Sequence, residues 1–160
     1  MHLHPQPEFM IAALSEAKAA LEAGNLPIGA AIVHDGQVVA LGQNAISVPA
    51  DDTRHAELVA IESIAPFLAE HKRECILYTT LEPCMMCLGA IINVGIDSIV
   101  IARPDPDIGA LELLPHGEYY NFKRGRMQVV SGYMQAESQA LLTEYVRRTG
   151  VRKHLASSAA

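Results

Sequence analysis

Tryptophan is absent from the 160 residues, and three phenylalanines and five tyrosines are the only other large rings, so no indole is available to stack on a planar ligand. Three cysteines are too few for a disulfide framework. An odd count fits thiols kept reduced as metal ligands or core filler, and the expected location is the cytoplasm. No apolar run approaches the roughly 20 residues that cross a bilayer. Met1-His2-Leu3-His4-Pro5 also lacks the basic and apolar regions of a secretory signal, so neither export nor membrane insertion is expected. Positive charge is scarce as well: 12 Lys and Arg face 18 Asp and Glu, giving a net charge of −6. That balance argues against a nucleic-acid partner, whose phosphates call for a basic surface. Lys123, Arg124, Arg126, Arg147, Arg148, Arg152 and Lys153 do gather in the last third, where a local basic patch and ordinary solvated side chains are both open readings. Repeats, low-complexity tracts and breaks in composition are missing too. The expectation is a single domain over 1–160, with 1–7 and 151–160 as flexible tails.

Half of the residues are hydrophobic and 19% are charged, enough to build a core without disulfide staples. Apolar residues recur at helical spacing from Phe9, and Gly24-Asn25 before Pro27 stops that helix. Ala30-Ala31-Ile32-Val33 and Val38-Val39-Ala40-Leu41 read as strands joined by a hairpin turn at Asp35-Gly36. A loop over 45–53 leads to a second helix over 54–70, and Cys75-Ile76-Leu77-Tyr78-Thr79-Thr80 makes a third strand. Pro83 opens a third helix that is apolar on every face, as a buried helix should be. Strands at 98–102 and 127–130 and an amphipathic helix over 135–148 follow. This alternation predicts an α/β protein, a three-layer α/β/α sandwich around a five-stranded mixed sheet. Only 103–122, rich in Pro, Asp and Gly, reads as a long irregular connection, of the kind that often carries specificity.

The chemistry concentrates in two short segments, His55-Ala56-Glu57 and Pro83-Cys84-Met85-Met86-Cys87, each at the start of a helix. The i, i+3 spacing puts both sulfurs on one helix face, where they reach one tetrahedral ion at about 2.3 Å. His55 from the other helix makes a third protein ligand, and the fourth position stays open for a water or hydroxide, the mark of a catalytic rather than a closed zinc site. Helix N-termini favour negative charge and lower thiol pKa values, which suits a thiolate pair. Two thiolates cancel the ion's formal charge, so it should acidify bound water less strongly than an all-histidine site does, and a nearby base is needed. Glu57, two residues from His55, is placed to move protons without being a ligand.

With these motifs, the sequence resembles the cytidine/deoxycytidylate deaminase superfamily, marked by H-x-E and P-C-x-x-C. Within it the chain is most similar to the branch of guanine deaminases, fungal-type cytosine deaminases and tRNA adenosine deaminases. The similarity lies in Leu26-Pro27-Ile28-Gly29-Ala30, Asn44, His55-Ala56-Glu57, Leu81-Glu82-Pro83-Cys84-Met85-Met86-Cys87 and Gly89-Ala90-Ile91, over residues 9–102. The resemblance implies a cytidine deaminase-like fold, one Zn2+ per chain on His55, Cys84 and Cys87, and Glu57 as the group that shuttles protons. Hydroxide on the zinc would attack the ring carbon bearing an exocyclic amine, and ammonia would leave. It also implies substrate contacts from Asn44, Ile28 and Ala56, although an Asn at that place is equally a turn former. A homodimer or higher homo-oligomer is implied as well. Cys75, with no such context, reads as a buried inert thiol.

For the substrate, the acidic chain and a 45–52 loop without Lys or Arg favour a small free base or aminated heterocycle of guanine or cytosine type. A tRNA adenosine deaminase is the alternative, consistent with the C-terminal basic residues. A non-catalytic zinc module is the alternative of another class, and it leaves Glu57 without a task. Asp105 and Asp107 are open to two readings, as acceptors for a substrate amino group or as ordinary turn residues beside prolines. Tyr119, Tyr120 and Phe122 are candidates to close over a base or to pack the last strand.

Overall fold

The structure, a computed structural model, describes residues 3–47, 50–116 and 127–151. Pro7 opens α1 (Pro7–Glu22) at a position where its missing N–H is harmless, and Gly24, at φ 81°, ends it. The chain then runs through β1 (Gly29–His34) and β2 (Gln37–Gln43), a hairpin turned by Asp35 and Gly36, both at positive φ as the tight turn requires. There follow α2 (Ala56–Ser63), α3 (Ala65–His71), β3 (Cys75–Leu81), α4 (Met85–Val94) and β4 (Ser98–Arg103). A 3-10 helix (Leu111–His116), β5 (Gln128–Ser131) and α5 (Gln135–Thr149) complete the described chain.

The five strands form one mixed sheet in the order β2-β1-β3-β4-β5. β1 is antiparallel to both β2 and β3, whereas β3, β4 and β5 run parallel. Alternate residues of the central strands serve opposite faces, as the period of two demands. Ala31, Val33, Tyr78, Val100 and Ala102 meet Phe9, Met10 and Ala13 of α1. Ala30, Ile32, Leu77, Ile99 and Ile101 meet Ala60 and Ile61 of α2, Leu68 of α3 and Leu88 and Ile91 of α4. α5 joins the α1 side, where Leu142 packs with Leu26 and Leu81. The result is the α/β/α sandwich expected from the sequence. Among the described residues no helix is long and apolar enough to cross a membrane.

Three local expectations need correction. The single helix over 54–70 is two helices, because Pro66 cannot continue the preceding turn and the chain bends at Ile64. The helix of the cysteines is not buried all round: Met85 is 69% and Met86 41% exposed, so only its Cys87, Leu88, Ile91 and Ile92 stripe faces the sheet. The connection 103–122 is not wholly irregular, since it carries the 3-10 helix; residues 117–126 lie outside the described part, and with them Tyr119, Tyr120, Phe122, Lys123, Arg124 and Arg126. The tail over 152–160, with Arg152 and Lys153, lies outside it too.

One glycine decides where α2 lies. A Cβ on Gly42 would collide with the carbonyl oxygen of Ala56 and the amide nitrogen of Ala60. Glycine there lets the helix backbone rest directly on β2, and this contact sets the height of the α2 N-terminus above the sheet.

Candidate active site

The site forms where β3 ends and the first turns of α2 and α4 converge. This is the edge of an α/β sheet at which strands deliver side chains to ligands. His55 is the residue that caps α2, with extended backbone (φ −75°, ψ 149°), and Cys84 caps α4 in the same way (φ −69°, ψ 172°). Neither side chain is spent on capping its helix, which leaves both free to point at each other. Cys87, one turn into α4, is completely buried.

His55 Nδ1 lies 3.7 Å from the Cys84 sulfur and 3.5 Å from the Cys87 sulfur. Bond lengths of about 2.3 Å to sulfur and about 2.0–2.1 Å to nitrogen give a tetrahedral N···S edge of about 3.6 Å. The imidazole nitrogen thus already stands from both sulfurs at the separation that a zinc ion would impose, all three donors lie within 4.8 Å of one another, and the soft thiolates with a borderline imidazole suit that ion. No other His, Cys, Asp or Glu among the described residues joins the set within 4.8 Å, which leaves one coordination position without a protein ligand. Hydrogen bonding from Cys87, with His55 beside it, pulls the Cys84 thiol down to about 3. The same contact and then burial push the Cys87 thiol up.

Glu57 is only 4% exposed, in the first turn of α2, and burial holds its carboxyl above the usual carboxylate range. Its Oε1 accepts a hydrogen bond from Thr79 Oγ1 at 3.0 Å, and the same hydroxyl lies 3.0 Å from the Leu81 carbonyl oxygen. Ile28, Asn44, His55, Glu57, Cys84 and Asp105 all line one cavity of about 400 Å3. Asn44, 2% exposed, follows β2; its backbone N–H donates to the Ile28 carbonyl, and its side-chain Oδ1 accepts from the Ile46 N–H at 3.2 Å. Because only an oxygen can accept there, the Asn44 NH2 is left as the side chain's donor. Ala56 is fully buried in the core beneath the cavity rather than on its wall. Asp105 is 3% exposed, and its Oδ1 accepts from the N–H groups of Asp107 at 3.0 Å and Ile108 at 3.4 Å, which is turn chemistry on the cavity wall.

Two groups that hold the site together went unread in the sequence. Thr79 looked like any β-branched strand residue. Glu82 accepts hydrogen bonds from the N–H groups of Asp105 and Leu111, both at 3.0 Å, and so ties the 105–111 segment to the end of β3. Its place beside Pro83 in the motif was the available signal.

The family model for the cytidine and deoxycytidylate deaminase zinc-binding region matches residues 4–103. The chain belongs to that family. It is a zinc-dependent hydrolytic deaminase, and its H-x-E and P-C-x-x-C segments are those brought together around the cavity. The deaminase is 33% identical, over 152 residues and 92% of each chain, to the tRNA-specific adenosine deaminase of Bacillus subtilis. It is 39% identical over 115 residues to the chloroplastic tRNA(adenine(34)) deaminase of Arabidopsis thaliana, a match that covers 69% of this chain and only 9% of that protein. Among solved structures it resembles one from a study of A-to-I editing by tRNA:A34 deaminases, at 34% identity and a TM-score of 0.73, over 86% of this chain and all of that one. A guanine deaminase from Bacillus subtilis matches at 38% identity with a TM-score of 0.58, over 65% of this chain and 68% of that one.

These relatives overturn the preference for a small free base of guanine or cytosine type and the expectation that nucleic acid is an unlikely partner. Net charge is a property of the whole surface, whereas recognition is local. Arg147 and Arg148 are matched by Glu144 and Glu22, so the total says little about the rim of the cavity. The 45–52 loop without Lys or Arg also ends two residues short of Arg54, which directly precedes His55. Val151 lines the cavity and is followed in sequence by Arg152 and Lys153.

Proposed function

We propose that this protein deaminates adenosine to inosine in a tRNA anticodon loop. The reading rests above all on the match along 92% of both chains to a tRNA-specific adenosine deaminase. Replacing the exocyclic amine of adenine by a carbonyl consumes one water and releases one ammonia. His55 Nδ1 and the sulfurs of Cys84 and Cys87 would hold the zinc ion. When bound, the ion supplies a Lewis acid that makes water a competent nucleophile at neutral pH.

The chain's own groups do the rest. The Glu57 carboxylate takes the proton released by the attacking water, gives it to the ring nitrogen next to the reacting carbon, and then helps protonate the departing amine. Its raised pKa suits a group that must both accept and return a proton. Thr79 holds the carboxylate in place while it does so. The Asn44 NH2 offers a hydrogen bond to an acceptor on the base, and Ile28 supplies an apolar wall against the ring. Such an enzyme would work in the cytoplasm or its organellar equivalent, where tRNA is found.

The test is to incubate the protein with a tRNA anticodon stem-loop containing adenosine, and separately with free adenosine, guanine and cytosine. Inosine in the RNA is followed by mass spectrometry and ammonia by a coupled assay. Inosine formed only in the stem-loop is the expected result. Turnover of a free base with none of the stem-loop would refute the assignment.

A further inference from the structure

At the far end of β1 from the active site, three side chains that the deaminase chemistry does not use converge. His34 closes β1, His71 closes α3, and Glu74 lies in the turn that leads into β3. Five residue steps along the strand separate His34 from Gly29 at the active-site end, a span of about 17 Å. We propose that His34, His71 and Glu74 form a second metal site, structural rather than catalytic, for a divalent ion of the zinc type.

The argument is geometric. The Glu74 Oε2 stands 2.9 Å from His34 Nε2 and 3.6 Å from His71 Nδ1. The first distance alone would be an ordinary hydrogen bond. The second is longer than a hydrogen bond, yet close to the N···O edge of about 3.4 Å expected between two ligands of one tetrahedral zinc. One donor atom from each of the three residues lies within 4.8 Å of the others, so a single ion can reach all three after small side-chain adjustments.

The rings are also held in place before any ion arrives. Phe67 of α3 packs edge-on against the His34 ring, with centroids 5.1 Å apart at 90°, and lies 4.5 Å from the His71 ring. The two imidazoles themselves are 4.9 Å apart at 62°. This apolar support fixes rotamers that would otherwise lose entropy on coordination. The second nitrogen of His71 lies 4.0 Å from Glu70 Oε2, on the side where a carboxylate commonly orients a metal-bound imidazole. Imidazole with carboxylate suits borderline ions such as Zn2+, Ni2+ and Co2+. The ion would clip the end of α3 and the turn before β3 to the end of β1, so its expected effect is on stability.

Protein dialysed to its first zinc is titrated with ZnCl2 in a non-coordinating buffer by calorimetry, and its thermal transition is followed with and without excess zinc. The wild type should bind one further equivalent and melt at higher temperature. His71→Gln, Glu74→Gln and His34→Gln should each weaken that second event at least about tenfold, the loss usual for a removed ligand or its close support. They should also remove the thermal shift while retaining the first zinc. Absence of a second equivalent in the wild type, or a second equivalent equally tight in all three variants, would overturn the site. His71 and Glu74 are exposed enough to be replaced without disturbing the core, so these two decide the matter should His34→Gln fail to fold.

Discussion

Thr79→Val tests how the buried carboxylate is kept ready. The hydroxyl has one proton and two acceptors at 3.0 Å, the Glu57 Oε1 and the Leu81 carbonyl. While Glu57 is ionised, the proton belongs on the carboxylate. Once Glu57 has taken a proton, the hydroxyl can turn, accept from the carboxyl and donate to Leu81, so Glu57 keeps this partner in both of its states. Valine keeps the shape and removes the switch. A hydrogen bond to a charged group is worth about 1.5–3 kcal/mol. At about 1.4 kcal/mol per tenfold, kcat/KM for a tRNA anticodon stem-loop should fall roughly 10- to 150-fold. The zinc content should stay unchanged, because the Thr79 hydroxyl bonds Glu57 and the Leu81 carbonyl, neither of them one of the three donors. Thr79→Ser, which restores the hydroxyl, should recover most of the activity. A Thr79→Val enzyme with ordinary kcat/KM, or one whose loss merely tracks lost zinc, would refute the reasoning.

Glu57→Gln should retain zinc by elemental analysis and lose turnover by about 10²- to 10⁴-fold, the range for general acid-base catalysis. Cys84→Ser and Cys87→Ser should instead lose the metal together with the activity, and excess zinc should restore part of both in the more exposed Cys84 variant. Gly42→Ala places a Cβ against the α2 backbone and should lower the urea midpoint by an amount equivalent to about 1–3 kcal/mol, as overpacking does. A normal midpoint would show that α2 can retreat from β2 freely.

Much of the fold was legible because its signals are local. Asp35-Gly36 announces a hairpin by its turn conformation, and the apolar runs of β1, β3 and β4 announce strands covered on both faces. Pro66 was equally visible, and the break it makes between α2 and α3 shows a helix breaker prevailing over continuous hydrophobic periodicity. The exposed Met85 and Met86 could not be told from core residues, because a methionine carries no mark of which way its helix is turned. Whole-chain charge misled for a related reason: it sums over faces that only folding separates.

The sequence by itself pointed to the chemistry. Spacing and ligand type single out His55, Cys84 and Cys87 as candidate zinc ligands and Glu57 as the candidate base, and the family resemblance of their motifs supplies the reaction. Tertiary structure decided what surrounds them. It brought β3 under α2, so that Thr79 meets Glu57 across 22 positions of sequence, and it set Glu82 to hold the 105–111 segment. It also gathered His34, His71 and Glu74 from a strand end, a helix end and a turn. Such contacts depend on how sheet and helices pack, and for that reason the chain alone does not say which groups meet, even where, as at Glu82, a motif marks the residue.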